Sequence, residues 1–594
     1  AKLYIMQEEG NRMNISQPII KKIEDTRNAL DFFEKEILLL EDKKTQKIIK
    51  NFPTVYIHNW KNSGKFEVYI GESNNIFRRT REHFDMAENN AEGWQRKLLN
   101  KKASLFIIGH EHFNKSLTLD IENRLMNYML SVDSVKSVHN SRANPQFDYY
   151  PVEELDEIFN KIWMKLHKEN EKLFPTESFV QNSAIYKASP LHKLTEDQKK
   201  AKEIIIQKVD EALSSEKTEQ LIFIDGEAGT GKTVLNSSTF YELYCQAEKA
   251  KKDFQCYLLV NHDEQVTVYK QIAKKLGILE KYGNVVDKPT TFINNHTEDN
   301  PVDVVFVDEG HLLLTQGKQS YKGKDQLEDI IKRARVTVVM FDENQILTTE
   351  QFREAEELEK YRNKAREEDN YIILHEQLRM QANSAIVDWI DAFTKERILK
   401  KIPKADGYDI KIFNSPEELD LKIKEKAKKK KSSLSRVIAT YDWEYSSIHE
   451  PKDRWLKYWE VMVGKWHKPW NRELEKNFSK EEKKQIKGLA WAEQPQTIDE
   501  VGSTYTIQGF DLNYAGVILG PSVKYRNGEI IFDPTESHNH KATRNRTLGD
   551  GSKQKFGELL IQHEVRVLMT RGVNGVYIYA CDEQLREALN KAEG

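Results

Sequence analysis

Residues Gly226 to Thr233, with the sequence GEAGTGKT, combine closely spaced glycines with a lysine and hydroxyl side chains. They follow an apolar segment, Leu221 to Ile224, and precede a segment with helical spacing. Glycines let backbone N–H groups surround a phosphate, while the lysine reaches the outer phosphates and the last hydroxyl binds magnesium. The sequence therefore predicts a nucleotide site formed by Gly226, Gly229, Thr230, Gly231, Lys232 and Thr233.

A second motif, VVFVDEGH, supplies the other half of this chemistry. Its apolar residues predict a buried strand that ends at Asp308 and Glu309. We expect Asp308 to hold magnesium together with Thr233, and Glu309 to polarise the water that attacks the terminal phosphate. The two motifs together predict ATP hydrolysis, with ATP and Mg²⁺ as cofactors.

Cationic side chains also gather near the N-terminal end, in the segment VYIGESNNIFRRTREHF of residues 68–84. A strand-like start and a glycine are followed by Arg78, Arg79, Arg81 and His83. This pattern is compatible with a nuclease site and equally with a hairpin that leads into a basic helix. The segment alone does not decide between them.

The elements that must position these residues fall into several domains, because 594 residues suit roughly three or four domains. Residues 16–50 have the apolar spacing of amphipathic helices, and residues 54–150 alternate short strands with helices. Residues 151–190 are helical and then polar, which is typical of a linker. From residue 191 onward, nearly continuous apolar strands predict parallel sheets that are covered on both faces.

The predicted fold class is therefore α/β, with a small mixed domain followed by two doubly wound lobes. The predicted boundaries are 1–51 (helical segment), 52–150 (mixed domain), 151–190 (linker), 191–350 (first lobe) and 351–594 (second lobe). The second lobe should carry a helical, Trp-rich insertion at about residues 443–497. Tryptophans interleaved with cations suit either a small core or a surface that stacks bases.

Composition limits the classes of partner. Lys plus Arg (91) nearly balance Asp plus Glu (94), so an overall polybasic attraction to nucleic acid is excluded while local basic patches are not. Cys245, Cys256 and Cys581 are too widely spaced for a disulfide framework or a four-thiolate zinc site. No apolar run reaches eighteen residues, so we expect no membrane partner and a cytoplasmic location.

Segments outside the two phosphate motifs match a known pattern over about residues 190–585. They are LTEDQKKA with Gln198, FDENQ with Asp342 and Gln345, LHEQLRM with Gln377 and Arg379, STYTIQGF with Gln508 and Gly509, and VLMTRGVNG with Arg571. On these motifs the chain resembles superfamily 1 helicases, and more closely the Schlafen-like (DUF2075) P-loop proteins.

The helicase resemblance implies two RecA-like lobes and a role for each matched residue. Gln198 would read adenine, Gln345 would sense the terminal phosphate, and Gln508 with Gly509 would link lobe movement to the bound strand. Arg379 and Arg571 would reach ATP across the cleft between the lobes. Such arginines neutralise transition-state charge only when the cleft closes, which couples hydrolysis to movement of the lobes.

The N-terminal segment TVYIHNWKNSGKFEVYIGES places two tyrosines on two predicted strands, and a charged helix follows. With this spacing, residues 52–145 resemble the GIY-YIG nuclease family, although Thr54 replaces the first glycine of its motif. The resemblance implies a site formed by Tyr56, Tyr69, Arg79, His83, Glu122 and Asn140.

Phosphodiester hydrolysis suits these side chains. A magnesium ion on Glu122 would polarise the phosphate, Arg79 would stabilise negative charge, and Tyr56 or His83 would accept the proton of the attacking water. Tyr69 would position the cluster. Two other interpretations stay open, since the tyrosines and Arg79 could be ordinary packing and surface residues, or the domain could bind substrate without cutting it.

The sequence thus predicts an ATP-driven translocase or helicase joined to a metal-dependent endonuclease. DNA is the preferred substrate, because both resembled families act mostly on DNA, and similar fusions suggest defence against foreign DNA. An RNA-directed ATPase with an inactive nuclease-like module and a signalling ATPase without translocation are the alternatives. A protein partner or a second copy of the chain is left open.

Overall fold

The computed structural model describes residues 15–89, 93–99, 102–140, 152–226, 230–318, 320–374, 384–453, 455–507 and 510–594. The chain divides into two compact units. The first comprises Ala1–Lys193 and Gln271–Lys281, and the second comprises Leu194–Lys270 and Tyr282–Gly594. No helix in the described ranges is long and apolar enough to cross a membrane.

The strands are numbered in chain order. They are β1 (Ile19–Glu24), β2 (Thr54–Asn62), β3 (Lys65–Ser73), β4 (Ala103–Gly109), β5 (Val135–His139), β6 (Gln220–Gly226), β7 (Cys256–Leu259), β8 (Val286–Asp287), β9 (Val302–Val307), β10 (Ala334–Phe341), β11 (Tyr371–Leu374), β12 (Asp409–Ile412), β13 (Arg436–Ala439), β14 (Glu460–Val463), β15 (Trp466–Pro469), β16 (Val501–Gly502), β17 (Leu512–Leu519), β18 (Val523–Arg526), β19 (Glu529–Phe532), β20 (Asn545–Thr547), β21 (Lys553–Lys555) and β22 (Gly572–Ala580).

The helices are numbered in the same way. They are α1 (Arg27–Leu39), α2 (Lys43–Asn51), α3 (Ile76–Asn89), α4 (Arg96–Leu99), α5 (Lys115–Leu130), α6 (Leu155–Glu169), α7 (Glu177–Asn182), α8 (Ala184–Ala188), α9 (Glu196–Ser214), α10 (Lys232–Ala250), α11 (Asp263–Lys275), α12 (Ile278–Tyr282), α13 (Pro289–Asn295), α14 (Gln326–Ile331), α15 (Ala355–Glu367), α16 (Ser384–Asp391), α17 (Pro416–Ala427), α18 (Lys480–Ile486), α19 (Thr504–Ile507), α20 (His540–Thr543), α21 (Gly557–Met569) and α22 (Glu583–Glu593).

The first unit is built on a mixed sheet with the order β1-β4-β2-β3-β5, antiparallel except for the pair β3 and β5. In the described part of residues 54–150, strands β2 to β5 are interspersed with helices α3 to α5, in agreement with the predicted mixture of strands and helices. The central strand β2 buries Val55, Tyr56 and Ile57 almost completely. Burial on both faces explains why its hydrophobic run does not alternate.

Two sequence predictions about this unit are wrong. Residues 19–24 form a strand instead of a helix, because each of them pairs with a residue of β4, from Ile19 opposite Gly109 to Glu24 opposite Ser104. Residues 155–188 are not a linker, since helices α6 to α8 belong to the unit's core. The fully buried Trp163 packs edge-on to Tyr128, with ring centroids 4.9 Å apart.

The first lobe of the second unit contains an entirely parallel sheet with the order β11-β6-β10-β9-β7-β8. Because the carboxyl ends of parallel strands meet at one edge, the loops after β6, β9 and β10 lie close together there. The predicted lobe boundary at residue 350 is too early. Strand β11 follows that residue and pairs with β6, from Tyr371 opposite Phe223 to Leu374 opposite Gly226.

The second lobe contains another parallel sheet, with the order β12-β22-β17-β13-β16. The predicted helical character of its insertion is wrong. Residues 460–469 form the antiparallel hairpin of β14 and β15, and α18 is a helix of only seven residues. Trp470 and Trp491 are fully buried, whereas Trp455 is 93% exposed, so the tryptophans are partly core and partly surface.

Candidate functional site

The phosphate-binding loop of the second unit begins at the end of β6 and leads into α10. A Cβ atom on Gly226 would lie 2.7 Å from the Thr230 hydroxyl oxygen, so the loop closes over this glycine. Gly231 has a φ of +75°, which favours glycine, and it caps α10. The predicted Gly229 lies outside the described residues. The N-terminal N–H groups of α10 form an anion site of the kind that binds phosphate.

Lys232 and Thr233 occupy the first turn of α10. The Lys232 ammonium donates a hydrogen bond to the carbonyl oxygen of Gly226, at the mouth of the loop. The Thr233 hydroxyl lies 3.3 Å from Oδ2 of Asp308. A hydroxyl and a carboxylate are hard oxygen ligands, so this pair fits Mg²⁺ together with nucleotide phosphates and water.

Asp308 and Glu309 follow β9 at the same edge of the sheet. Burial and the neighbouring Glu309 raise the pKa of Asp308 above its usual range. Tyr269 of α11, which the sequence did not single out, donates a hydrogen bond of 2.5 Å to Oδ2 of Asp308. Glu309 has a left-handed φ of 49°, and its carboxylate lies 2.9 Å from Nε2 of His311. The acidic pair is therefore held by two aromatic neighbours.

A chain of polar contacts crosses from the first lobe to the second. Gln345 donates from its amide to Oδ2 of Asp342 at 2.9 Å and accepts from Nη2 of Arg571 at 2.8 Å. Arg571 is completely buried. Although burial alone would raise the pKa of Asp342, the charges of Lys232, Arg566 and His311 lower it. The predicted Gln345 and Arg571 are thus in direct contact.

Gln198 lies at the start of α9, where its side-chain oxygen accepts from the backbone N–H of Thr195 at 3.0 Å. Its amide group donates to the carbonyl oxygens of Thr230 and Gly231 at 3.4 and 3.3 Å. The predicted adenine-reading residue therefore contacts the phosphate-binding loop. The predicted Gln377, Arg379, Gln508 and Gly509 lie outside the described residues.

A second connection between the lobes, formed by residues 541–549, was not predicted. Arg546 donates to Oε1 of Gln316 at 2.7 Å and to the carbonyl oxygen of Thr315 at 3.2 Å. Arg544 donates to the Thr349 hydroxyl at 2.9 Å. These contacts join a segment that precedes β22 to the loops that follow β9 and β10.

The first unit brings its predicted residues into one cluster. Tyr56 on β2 faces Gly71 on β3, and a Cβ atom on Gly71 would lie 2.5 Å from the Tyr56 hydroxyl oxygen. Only glycine leaves room for the phenol there. That hydroxyl lies 3.1 Å from Nε2 of His83, and both side chains are 1% exposed.

Glu122 and Asn140 approach the same cluster from α5 and from the end of β5. The Asn140 amide donates to Oε1 of Glu122 at 3.1 Å and to the carbonyl oxygen of Ile70 at 2.6 Å. Asn140 adopts a left-handed φ of 61°, which asparagine tolerates better than most residues. Asn140, the last residue predicted for this site, thus orients its amide toward the Glu122 carboxylate.

Burial and neighbouring charges together explain the pKa shifts within the cluster. Burial and the nearby Tyr69 raise the pKa of Tyr56. Burial also raises the pKa of Tyr69, although the charge of Arg79 acts in the opposite direction. Burial together with His58 and Arg79 lowers the pKa of His83 to about 3. Although burial alone would lower the pKa of Arg79, Glu82 and the two tyrosines raise it. At neutral pH the cluster holds a neutral imidazole and a cationic guanidinium.

Three further residues of this cluster carried no sequence signal. Asp25 and His58 form a fully buried pair, with Oδ2 and Nδ1 2.5 Å apart. The His58 ring lies edge-on to those of Tyr56 and His83, with centroids 5.4 Å away in both cases. Trp94 stacks on Tyr69 at 3.9 Å. Asp25 and Trp94 come from segments distant in sequence, so no local spacing indicates them, whereas His58 lies on β2 two residues from Tyr56.

Among the residues predicted for this site, Glu122 supplies the carboxylate that could bind a metal ion. In the part of the chain that the structure describes, no three His, Cys, Asp or Glu side chains converge as a metal site. Magnesium is commonly held by one or two carboxylates with water and substrate phosphate. Glu122, 5% exposed and oriented by Asn140, fits that mode of binding.

The parallel sheets, the phosphate-binding loop, the acidic pair and the arginine from the opposite lobe define the second unit as a helicase-like P-loop architecture. Residues 219–582 match Schlafen group 3, DNA/RNA helicase domain, and the chain belongs to this family. It is 30% identical over 434 residues to the uncharacterized protein YPL245W of Saccharomyces cerevisiae, covering 67% of this chain and 90% of the yeast protein.

Solved helicase structures show a more distant similarity. Arterivirus nonstructural protein 10 is 13% identical over 64% of this chain and 63% of its own, with a TM-score of 0.26. The PRRSV helicase is 10% identical over 64% and 56%, also with a TM-score of 0.26. The DUF1998 helicase MrfA bound to DNA is 11% identical over 70% and 54%, with a TM-score of 0.29. The chain spans less than two thirds of each of these structures.

Proposed function

We propose that the protein is an ATP-driven nucleic-acid translocase or helicase that also cuts nucleic acid at a separate endonuclease site. The observation that carries the endonuclease half is the cluster in the first unit, where Tyr56 and His83 are hydrogen-bonded and Glu122 is bonded to Asn140. The motor half is supported by family membership and by the geometry of the nucleotide site.

In the motor, Lys232 exchanges its contact with the Gly226 carbonyl for the outer phosphates of ATP. Thr233 and Asp308 would hold a magnesium ion, which would supply positive charge to neutralise the phosphates. Glu309 orients the attacking water and takes its proton. Tyr269 and His311 keep the acidic pair in place, since both already contact it.

Arg571 couples hydrolysis to movement of the lobes. In the structure its guanidinium bonds to Gln345, which in turn bonds to Asp342. ATP places a terminal phosphate at the same edge of the sheet, and a guanidinium that turns to that phosphate stabilises the charge that develops there. Loss of the phosphate returns Arg571 to Gln345, so each cycle remakes a contact between the lobes.

In the nuclease, the neutral His83 accepts the Tyr56 proton while the Tyr56 oxygen takes a proton from the attacking water. The water oxygen then forms the new bond to phosphorus, and the strand oxygen leaves. An anionic phosphate nearby raises the basicity of His83, which is low in the free protein. Arg79 stabilises the phosphate. Glu122, oriented by Asn140, would hold a magnesium ion, which would supply Lewis acidity to polarise the phosphate.

DNA is the first substrate to test, because the nuclease family that the first unit resembles acts mostly on DNA. The family description of the second unit names both DNA and RNA, so RNA must be tested beside it. A role in defence against foreign DNA follows from the resemblance of the fusion to such systems.

The test compares wild type, Lys232→Ala and Glu122→Ala on single-stranded, duplex and forked DNA and on matching RNA, with Mg²⁺ and with or without ATP. We expect nucleic acid to stimulate ATP turnover in wild type and in Glu122→Ala. Without ATP, we expect wild type and Lys232→Ala to cleave the strand and Glu122→Ala not to cleave it. Glu111→Ala is the matched control, since this carboxylate pairs with the exposed Lys44.

Two results would contradict the proposal separately. Cleavage that survives in Glu122→Ala removes the nuclease assignment and favours a module that only binds. ATP turnover that is indifferent to every polymer removes the motor and favours a signalling ATPase.

A further inference from the structure

The first unit contains a cavity of about 340 Å³ that the nuclease cluster does not use. Its lining includes Asp120, Asn123, Arg124 and Asn127 of α5. Asn123 and Arg124 each lie three or four residues from Asp120 and from Asn127, so the four residues share one face of the helix. Glu122 is two residues from Asp120 and therefore lies off this face. Residues of α8 and the segment 191–193 complete the wall. This volume lies at the lower end of the range for small-molecule sites.

Asn127, which lines the cavity, presents an acceptor whose orientation the neighbouring groups fix. His192 donates from Nε2 to the carbonyl oxygen of Tyr186, so its Nδ1 is an acceptor. The Asn127 amide lies 3.4 Å from that Nδ1 and donates to it. Oδ1 of Asn127 is thereby left pointing elsewhere, and it is buried without a hydrogen-bond partner. Asn127 lines the cavity and is 4% exposed, so a ligand in the cavity can supply the donor that this atom lacks.

An aromatic ring forms one side of the cavity. Tyr186 is held edge-on by Tyr128 at 5.5 Å and by His192 at 4.6 Å between ring centroids. Tyr128 in turn accepts from the Gln181 amide at 2.8 Å and donates to Glu177 at 2.9 Å. A ring fixed in this way is a ready surface for stacking a planar group.

Cations lie at the rim. Lys193 is exposed, and Arg124 forms an ion pair of 2.6 Å with Asp156, whose side chain is 87% exposed. Exposed ion pairs contribute little, so Arg124 can exchange Asp156 for a phosphate without a large loss. The lining of the cavity thus combines a buried acceptor, an aromatic ring and two cationic side chains.

We propose that this cavity binds a nucleotide whose base carries an amino group, with the amino N–H donating to Asn127, the base against Tyr186, and the phosphate at Arg124 and Lys193. An apolar ligand would leave the Asn127 oxygen unpaired, and a small inorganic anion would be repelled by it. The ligand could be a free mononucleotide or a base of a bound strand, and both present the same chemistry.

The experiment uses the full chain with Lys232→Ala, so that the ATP site does not dominate nucleotide binding. Equilibrium dialysis compares AMP with purine riboside 5′-monophosphate, which lacks the amino group, and fluorescence anisotropy compares oligo(dA) with oligo(dT). We expect AMP to bind at least tenfold more tightly than the purine analogue. Arg124→Gln and Tyr186→Leu should each weaken AMP binding at least fivefold, and Asn127→Leu should abolish the preference for the amino group.

Lys168→Ala, an exposed position on α6 outside the lining, is the matched control and should change nothing. If Asn127→Leu does not fold, the Arg124→Gln variant and the comparison of AMP with purine riboside 5′-monophosphate test the proposal. If the protein does not bind AMP but prefers oligo(dA), and the variants lose this preference, the proposal holds with a base of a bound strand as the ligand. If the variants change neither AMP binding nor oligo(dA) binding, the proposal is overturned and the cavity holds only water.

Discussion

The Tyr56 hydroxyl lies 3.1 Å from Nε2 of His83, in a place where both side chains are almost inaccessible to solvent. The lowered pKa of His83, about 3, means that the imidazole is neutral above mildly acidic pH and accepts this hydrogen bond. A phenol with a raised pKa does not ionise alone near neutral pH. The pair, and not either residue singly, is therefore suited to move a proton.

We predict that Tyr56→Phe lowers the rate of nucleic-acid cleavage by about 100-fold or more, the usual contribution of general acid–base catalysis. The ring stays, so the fold and the ATPase should not change. Initial cleavage rates on a labelled strand measure the effect, and Tyr458→Phe in the second lobe is the control. Cleavage at the wild-type rate in Tyr56→Phe would show that the phenol does not take part.

The buried pair of Asp25 and His58 gives a prediction about stability. Removing one partner of a buried hydrogen-bonded pair leaves the other group unsatisfied and costs about 1–3 kcal/mol, whereas an apolar replacement of both partners can be nearly neutral. We expect Asp25→Asn or His58→Leu alone to destabilise the first unit by this amount, and Asp25→Leu with His58→Leu to restore much of it. Hydrogen exchange of β2 amides in urea measures the difference.

The control for this cycle is Asp85→Asn. Asp85 pairs with Arg27 at the surface, with its side chain 61% exposed, and should contribute under about 1 kcal/mol. Equal and additive losses from the two buried single changes would mean that Asp25 and His58 do not act as a pair.

Arg571 should act on the rate of ATP hydrolysis more than on ATP binding. An arginine that reaches the transition state contributes about 10³-fold or more, so we expect Arg571→Ala to lower kcat by that factor with little change in ATP affinity. Steady-state turnover and calorimetric ATP binding separate the two quantities. Arg586→Ala, which removes a cation over the Tyr579 ring, is the control. A variant that loses affinity but keeps kcat would place Arg571 in ground-state binding.

Glu564 gives a prediction about pH. Complete burial, with the nearby Asp442, raises its pKa from 4.5 to about 8 in the folded chain. Between these two values the folded state keeps a proton that the unfolded state has released. Its contribution to stability is therefore fully present below pH 4.5 and is lost as pH rises toward 8, with a slope of up to about 1.4 kcal/mol per pH unit.

We expect Glu564→Gln to flatten this dependence, since the amide keeps the shape and the hydrogen bond from the Tyr441 N–H, 3.1 Å long, without titrating. Thermal unfolding midpoints between pH 5 and 8.5 test it, and Glu558→Gln, an exposed position on the same helix, is the control. A wild-type midpoint that rises steadily with pH over this range, unaffected by Glu564→Gln, would contradict the assignment.

The tryptophans of the insertion should differ sharply in their effect on stability. Trp470 is fully buried and its indole N–H donates to the Glu444 carbonyl, so Trp470→Ala should cost about 3–5 kcal/mol. Trp455 is 93% exposed, and Trp455→Ala should change the unfolding free energy by less than about 0.5 kcal/mol. Chemical denaturation followed by intrinsic fluorescence compares the two, and similar losses would show that the insertion packs differently.

The parts that could be predicted from the sequence are those that local pattern determines. The loop from Gly226 to Thr233 and the strand before Asp308 are contiguous motifs within strand–helix units, so their elements lie where the spacing places them. Tyr56 and Gly71 are also predictable, because a two-strand hairpin brings them opposite each other.

The parts that could not be predicted depend on pairing over long sequence distances. Asp25 meets His58, and Tyr269 meets Asp308, only after separate elements have packed. The isoleucines of residues 19–24 fit a helix as well as a strand, and pairing with β4 decides. The tryptophans at 455, 459, 466 and 470 suggest helical spacing, but a turn at Gly464, with φ of +61°, folds the segment into a hairpin.

Strand β1 determines where the first unit can be cut. A recombinant fragment that begins at residue 52 loses the strand that covers β4 from Ser104 to Gly109 and loses Asp25 as well. Such a fragment would present an unsaturated sheet edge that recruits other chains, and it would carry a solitary imidazole in its interior. A fragment intended to keep this sheet edge covered should therefore start before Ile19.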